Sequence, residues 1–370
     1  MASVAKRPNG QWRARYRDSA GREHSKHFPR KVDAQRWLDE VTTSVVTGQY
    51  VDPNAGRMTF REYAEKWRDA QVHRPSSQAH VETMLRRHAY PTLGDRPLST
   101  ILPSEVQAWV KRLSVGGADQ RPLAPSTVSV VHSIVSSVFK AAVRDRRIPA
   151  NPCEGTRLPK RERSKVVPIM TDQVETLTAA MPAELRALVT FAAGTGVRGG
   201  ELRGLTLDRV HFLRREVTID RQLVGTGTTP VWGPPKTEAS YRTIPVPNVV
   251  LEALQQHLAA YDVEPGGLLF TLSGLPISRQ AFGHQWRPAA RAAGIPAGQG
   301  LHALRHYYAS LLIRHGESVK TVQARLGHAS AAETLDTYSH LWPDSDDRTR
   351  DAVDAVLGAR ADSVRTGGAV

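Results

Sequence analysis

The stretch LHALRHYYASLLI, residues 301–313, has helical spacing with two unlike sides. His302, Arg305 and His306 fall at i, i+3 and i+4, on one face. Leu304, Tyr308, Leu311 and Leu312 take the other. Two histidines one turn apart have a metal-ligand spacing. An arginine among the ligands would repel a cation, however, and the only cysteine, Cys153, is far away in sequence. An anion is the better chemical match.

Three more stretches work outward from this one. In GTGVRGGELRGL, residues 194–205, glycines flank Arg198 ahead of a short helix that carries Glu201. Glycine weakens helices, so its density points to a backbone that turns tightly or admits a close approach. A dinucleotide loop would need a preceding strand, and the preceding ALVTFAA reads as helix. ARLGHAS presents His328 after Gly327, and ETLDTYSHLWP, residues 333–343, places Tyr338 on an amphipathic stretch. Taken alone, such a tyrosine is packing. Between the first two stretches lies a β region, EVTIDRQLV and TPVWGPPKTEASYRTIPV, with a turn at Gly233, Pro234, Pro235 and Lys236. The chain has 10 lysines and therefore 50 − 10 = 40 arginines, and Lys236 is the only lysine between Val166 and Val319. An amine can give up a proton near neutral pH where a guanidinium cannot.

The 370 residues suit two or three domains. A net charge of +14 and a pI near 10.2 call for an extended polyanion as partner. An anionic membrane fits less well, since we read no apolar run of 18 residues and no basic amphipathic helix at a terminus. The N-terminus shows no signal peptide, and one cysteine fits a reducing cytoplasm. Residues 1–31 hold nine basic and two acidic side chains, 9 − 2 = +7. There Trp12, Ala14 and Tyr16 alternate with Arg13, Arg15 and Arg17, DSAG at 18–21 signals a turn, and the chain returns to Phe28. Ala34, Trp37, Leu38, Val41 and Val45 have the spacing of a covering helix. Three arginines on one strand face, with no interleaved carboxylate, point to DNA contact. A nuclear-targeting run is the lesser reading of this segment.

Residues 56–156 read as helical. Thr59 with Glu62 and Ser104 with Gln107 are expected capping boxes, and Ser126 is expected to cap a long helix bearing Val128, Val131, Val135, Val138 and Phe139. RLPKRERSK, residues 157–165, reads as a basic linker whose Lys160 and Arg161 are candidate DNA contacts. Residues 166–358 form the mixed module that holds the four stretches, and 359–370 a flexible tail.

Together, in this order, Arg198, Lys236, His302-x-x-Arg305, His328 and Tyr338 resemble the tyrosine recombinase (phage integrase) family. GTGVRGGEL, HALRH, LGH and TLDTYSHL match its signature boxes, with the customary ten-residue step from His328 to Tyr338. The layout resembles integrases of temperate phages and integrative elements. One departure is Ala303, where many members carry an acidic residue. The resemblance implies a multidomain α+β fold: an N-terminal three-stranded sheet plus helix (1–55), an all-helical core-binding domain (56–156) and a mainly helical catalytic domain with a small antiparallel sheet (166–358). It implies that Tyr338 attacks a DNA phosphodiester to give a 3′-phosphotyrosyl bond, with no metal and no cofactor. Arg198, Arg305, His302 and His328 would stabilise the phosphate. His302 is also the candidate acceptor of the tyrosine proton, and Lys236 the acid for the leaving 5′-oxygen. Glu201, His306 and His340 would orient them. The implied partners are core and arm-type attachment sites in double-stranded DNA, a homotetramer on DNA, and an accessory DNA-bending protein or directionality factor, in a bacterial cytoplasm. Alternatives are a Xer-like dimer resolvase, which usually lacks the N-terminal module, and a type IB-like relaxing enzyme, which needs no second DNA address. A non-catalytic regulator is opposed by the filled signature positions.

Overall fold

We describe a computed structural model at residues 2–17, 21–46, 55–117, 121–160, 165–224, 231–264, 266–342, 350–351 and 353–357. The chain folds as two compact units, Met1–Arg163 and Ser164–Val370.

In the first unit, β1 (Ser3–Lys6), β2 (Trp12–Arg17) and β3 (Glu23–Phe28) form an antiparallel sheet in that order. The expected period of two holds on β2. Ala14 and Tyr16 are buried with Ala34 and Leu38 of helix α1 (Lys31–Val46), while Arg15 and Arg17 are exposed and Arg13 is half-buried. The arginine face is not free of carboxylates, because Glu23 pairs in register with Arg17 and lies 3.9 Å from Arg15. Cross-strand neighbours thus supply a partner that a reading along one strand could not see. Of the DSAG turn, residues 18–20 lie outside the described residues.

The rest of this unit is a helical bundle: α2 (Phe60–Asp69), α3 (Pro75–Met84), α4 (Tyr90–Leu93), α5 (Pro103–Val115) and α6 (Pro125–Arg144), packed around Phe60, Trp109, Val131, Val135 and Phe139. Thr59 and Glu62 make the expected reciprocal capping box of α2. The other two expected caps are wrong. α5 starts at Pro103, where Glu105 accepts the Leu102 N–H, and α6 starts at Pro125, with Ala124 at the cap position. Proline at the first helical position needs no hydrogen-bond partner and sets φ for the helix, so it overrides the serine that follows. Gln107 instead exchanges two hydrogen bonds with the Arg157 backbone, at 3.0 and 2.8 Å. By length and mean hydropathy α6 could cross a membrane, although its serines, His132 and Lys140 leave it no run of 18 apolar residues. Here its Val128, Val131, Val135, Val138 and Phe139 side chains are buried in the bundle core.

The second unit begins with α7 (Thr171–Ala180), α8 (Ala183–Thr195) and the short α9 (Gly199–Arg203). Strands β4 (Val210–His211) and β5 (Glu216–Ile219) follow, then the ribbon β6 (Gln222–Leu223) with β7 (Trp232–Gly233). β8 (Arg242–Pro245) returns to pair with β5, giving sheet order β4-β5-β8. Helices α10 (Asn248–Ala260) and α11 (Arg279–Ala292) flank a second ribbon, β9 (Thr271–Leu272) with β10 (Leu275–Pro276). The chain then forms α12 (His302–Arg314), α13 (Val319–Leu326) and α14 (Ala331–Tyr338). One core runs through α7, α8, the sheet, α10, α11 and α12, and a smaller one joins α12, α13 and α14 around Tyr308, Ile313, Leu326 and Tyr338.

Two glycines allow this arrangement. Gly196 ends α8 at φ +64°, where a Cβ would come within 2.3 Å of the Tyr308 ring. Gly327 ends α13 at φ +65°, where a Cβ would lie 2.9 Å from the Ala239 carbonyl. Both are left-handed helix ends that only glycine reaches without strain.

Candidate active site

Three arginines from three separate elements meet at the C-terminal end of α13. Arg242 donates to the Arg325 carbonyl at 2.9 Å, Arg305 to Leu326 at 2.6 Å, and Arg198 to Gly327 at 2.7 Å. These are carbonyls that the end of a helix leaves without intrahelical partners, at the negative pole of its dipole, where cations are favoured. Arg305 also donates to the Gly196 carbonyl at the end of α8, at 2.8 Å, and is 2% exposed. Burial, together with the charges of Arg198 and Arg242, pushes its pKa down to about 9.

Among the described residues, Glu201 is the one carboxylate in this network. It caps α9 by accepting the Arg198 N–H at 2.9 Å, and its two oxygens bind Arg242 at 2.8 and 3.1 Å and Arg198 at 3.1 Å. Burial alone would raise its pKa. The hydrogen bonds and charge of Arg242, with Arg198 added, outweigh burial and hold the carboxylate below its ordinary range. Ser240, fully buried, accepts from Arg198 at 3.0 Å. Three guanidinium groups against one carboxylate leave 3 − 1 = +2.

The set expected from the sequence lacks Arg242. A signal was present, since on β8 it lies in phase with Ile244, which is 0% exposed, and an arginine on the core side of a strand needs a buried partner. Arg242→Met is expected to destabilise the protein by about 3–5 kcal/mol, because it strands a buried carboxylate. Replacing Glu201 by Leu as well should recover much of that loss. Urea denaturation of the single and double variants checks this, and additive losses would contradict it.

The histidines and the tyrosine form the second half of the site. Tyr338 is 1% exposed, and its hydroxyl is 2.8 Å from Nδ1 of His306. The His302 ring meets His306 edge-on, with centroids 4.7 Å apart. His328 stacks parallel to Tyr338 at 6.3 Å, and its Nδ1 is 2.8 Å from the Thr334 hydroxyl. Burial raises the Tyr338 pKa to about 12 against the pull of Arg305. Burial also lowers His306 and His328 to about 4 each, helped for His306 by His302 and Arg305 and for His328 by Arg305. His302 is lowered too, by desolvation and by the charges of Arg305 and Arg198.

Both low-pKa histidines are therefore neutral when folded and more readily protonated when unfolded. The stability they contribute is fully present above about pH 6.5 and is lost as pH falls through about 4. The urea midpoint should drop across that window, and a flat midpoint would contradict the buried-neutral assignment.

The structure therefore joins Arg198, Glu201, Arg305, His302, His306, His328 and Tyr338. It does not join the rest of the expected set. Lys236 sits between β7 and the 3₁₀ turn Glu238–Ser240, exposed, with no hydrogen bond or ion pair among the described residues. His340 faces away and bonds the Val166 carbonyl at 2.8 Å, tying the segment after α14 to the start of the unit. The hydrogen bond to the Tyr338 hydroxyl is made by His306, and none by His302 among the described residues. Lys160 is exposed, and Arg161 lies outside the described residues.

Three family profiles match in tandem. These are the phage integrase N-terminal domain over residues 2–47, the phage integrase central domain over 60–158, and the phage integrase family over 165–344. A putative prophage phiRv2 integrase of Mycobacterium tuberculosis is 30% identical over 348 residues, 90% of this chain and 89% of its own. The integrase of Mycobacterium phage D29 is 25% identical over 325 residues, 82% of this chain and 83% of its own. Among solved structures, the Tn1549 transposon integrase with a circular intermediate DNA aligns at TM-score 0.68 and 22% identity, covering 81% of this chain and 99% of that one. A lambda integrase dimer bound to a COC′ core site aligns at 0.60 and 18%, covering 92% and 96%. The chain belongs to the phage integrase family. It is a site-specific tyrosine recombinase of the kind that integrates phages or mobile elements.

Proposed function

We propose that Tyr338 is the nucleophile of this recombinase and that the arginine cluster is its phosphate site. The observation that carries this reading is the convergence of Arg198, Arg242 and Arg305 on one helix end with a single carboxylate. That arrangement holds a net positive charge ready for a phosphodiester. The phenol oxygen attacks phosphorus, the P–O5′ bond breaks, and a 3′-phosphotyrosyl link forms. A second strand's 5′-hydroxyl reverses the step. Charge gathers on the non-bridging oxygens in the transition state, where Arg198 and Arg305 act as planar forks and His302 and His328 add hydrogen bonds. Glu201 orients Arg198. Lys236 reaches the leaving 5′-oxygen as its acid. The bond energy stays in the covalent link, so the reading requires neither ATP nor a metal.

The proposed division is 1–55 for arm-type DNA sites, 56–156 for the core site, 157–165 as linker, 166–358 for catalysis and 359–370 as tail. The exposed arginines of β2 support the first assignment. We place the active form as a homotetramer on DNA; a related lambda integrase is a tetramer on a Holliday junction. Residues 350–351 and 353–357 are helical, and exposed Val353, Val356 and Leu357 suit a contact with another subunit. An accessory DNA-bending protein or directionality factor and a bacterial cytoplasmic setting complete the reading.

The test incubates the full chain with DNA from the flanks of the integrated element, in EDTA, followed by a denaturing gel. A covalent protein–DNA band is expected. Its absence, or a band that appears only with magnesium, would point to metal-dependent nuclease chemistry instead.

A further inference from the structure

We propose that His306, not His302, takes the proton of Tyr338 in strand cleavage and returns it in strand joining. The proposal rests on the reading of Tyr338 as nucleophile and deepens it. Geometry selects His306: its Nδ1 lies 2.8 Å from the phenol oxygen, the atom that reacts. The other nearby groups are unsuited. His302 makes no hydrogen bond to Tyr338 among the described residues and meets only the His306 ring. The His328 ring lies parallel to the tyrosine but offset, with centroids 6.3 Å apart, its Nδ1 is taken by Thr334, and its Nε2 turns toward Glu333 at 3.9 Å. Arg305 donates both terminal nitrogens to backbone carbonyls and has no acceptor to offer.

The helix explains why two histidines divide the work. His302 and His306 are one turn apart on α12, so their rings touch, but only the later one is level with the end of α14 where Tyr338 sits. His302 lies at the exposed N-terminal end of α12, suited to reach a phosphate oxygen. The groups facing His306 are His302 and Arg305 from its own helix, His328 from the end of α13, and Tyr338 from α14. Three of these can carry positive charge, so an unoccupied site keeps His306 neutral and able to accept a hydrogen bond. A phosphodiester on the arginines offsets that charge and raises the affinity of His306 for a proton at the moment the phenol must lose one.

The proton balance closes. In cleavage the Oη–H proton moves to Nδ1 of His306, the Oη–P bond forms and the P–O5′ bond breaks. In joining the 5′-hydroxyl attacks phosphorus, the P–Oη bond breaks, and the Nδ1 proton returns to Oη. His306 ends as it began.

The test uses the full chain. His306→Ala and His306→Gln are each expected to slow single-turnover cleavage of a nicked attachment site by about a hundredfold or more, the range for losing a general base. Their cleavage rates should climb with pH, as hydroxide replaces the missing base, while the wild-type rate flattens. Glutamine can accept a hydrogen bond but no proton, so a wild-type rate in His306→Gln would overturn the proposal and leave His306 a positioning residue. A second measurement separates proton transfer from a damaged site. In a Tyr338→Phe background, a strand ending in a 3′-p-nitrophenyl phosphodiester is joined to a 5′-hydroxyl strand. The leaving group departs as p-nitrophenolate and needs no proton, so adding His306→Ala should not change the joining rate. If that rate falls as far as cleavage does, His306 holds the site together and the proposal is wrong. Should the wild-type protein form no adduct through Tyr338, the parent reading fails first, a result distinct from either of these.

Discussion

Tyr338→Phe is expected to bind attachment-site DNA as the wild type does and to form no covalent adduct. The change removes one oxygen from a residue that is 1% exposed and stacked on His328. The ring keeps its place in the small core with Tyr308, Ile313 and Leu326. What it loses is a hydrogen bond from a phenol whose pKa burial already raises to about 12, a modest stability cost of about 1 kcal/mol. The catalytic loss is complete, because no described hydroxyl other than Tyr338 bonds His306. A gel-shift titration and a denaturing gel on the same samples separate the two effects. An adduct in the variant would move the nucleophile elsewhere, and loss of binding would mean that Tyr338 helps hold the DNA.

Lys236→Ala is expected to slow cleavage by about a hundredfold or more, the range for losing a general acid. The lysine is exposed and partnerless among the described residues, free to swing onto a docked strand. Lys236→Arg should rescue poorly, since guanidinium does not release its proton near neutral pH. Replacing the bridging 5′-oxygen with sulfur gives a thiol leaving group of pKa about 8.5 that needs no donor. On that substrate Lys236→Ala should approach the wild-type rate, whereas Arg198→Ala stays slow because it has lost charge stabilisation. The sulfur should leave His306→Ala slow too, since that defect lies at the nucleophile. No rescue of Lys236→Ala would make the lysine a positioning residue.

Much of the fold follows from local rules. The strand alternation at Trp12–Arg17 and the capping box of Thr59 and Glu62 both depend on near neighbours in the chain, and both are found. Where local signals compete, proline outranks serine: Ser104 and Ser126 follow prolines that already occupy the first helical position.

The sequence by itself determined the residue types of the candidate site and most of the residues that cluster there, because Arg198, His302, Arg305, His328 and Tyr338 sit in short motifs at recognisable spacing. It could not determine who touches whom. Arg242 joins the cluster through Glu201, 41 residues away, and His306 reaches Tyr338 across 32. His340, two residues beyond Tyr338, points instead to Val166. Spacing along one helix assigns a face. Which face meets which partner was decided only when α8, α12, α13 and β8 packed together, since a buried guanidinium is stable only where helix-end carbonyls and a carboxylate from other elements converge on it.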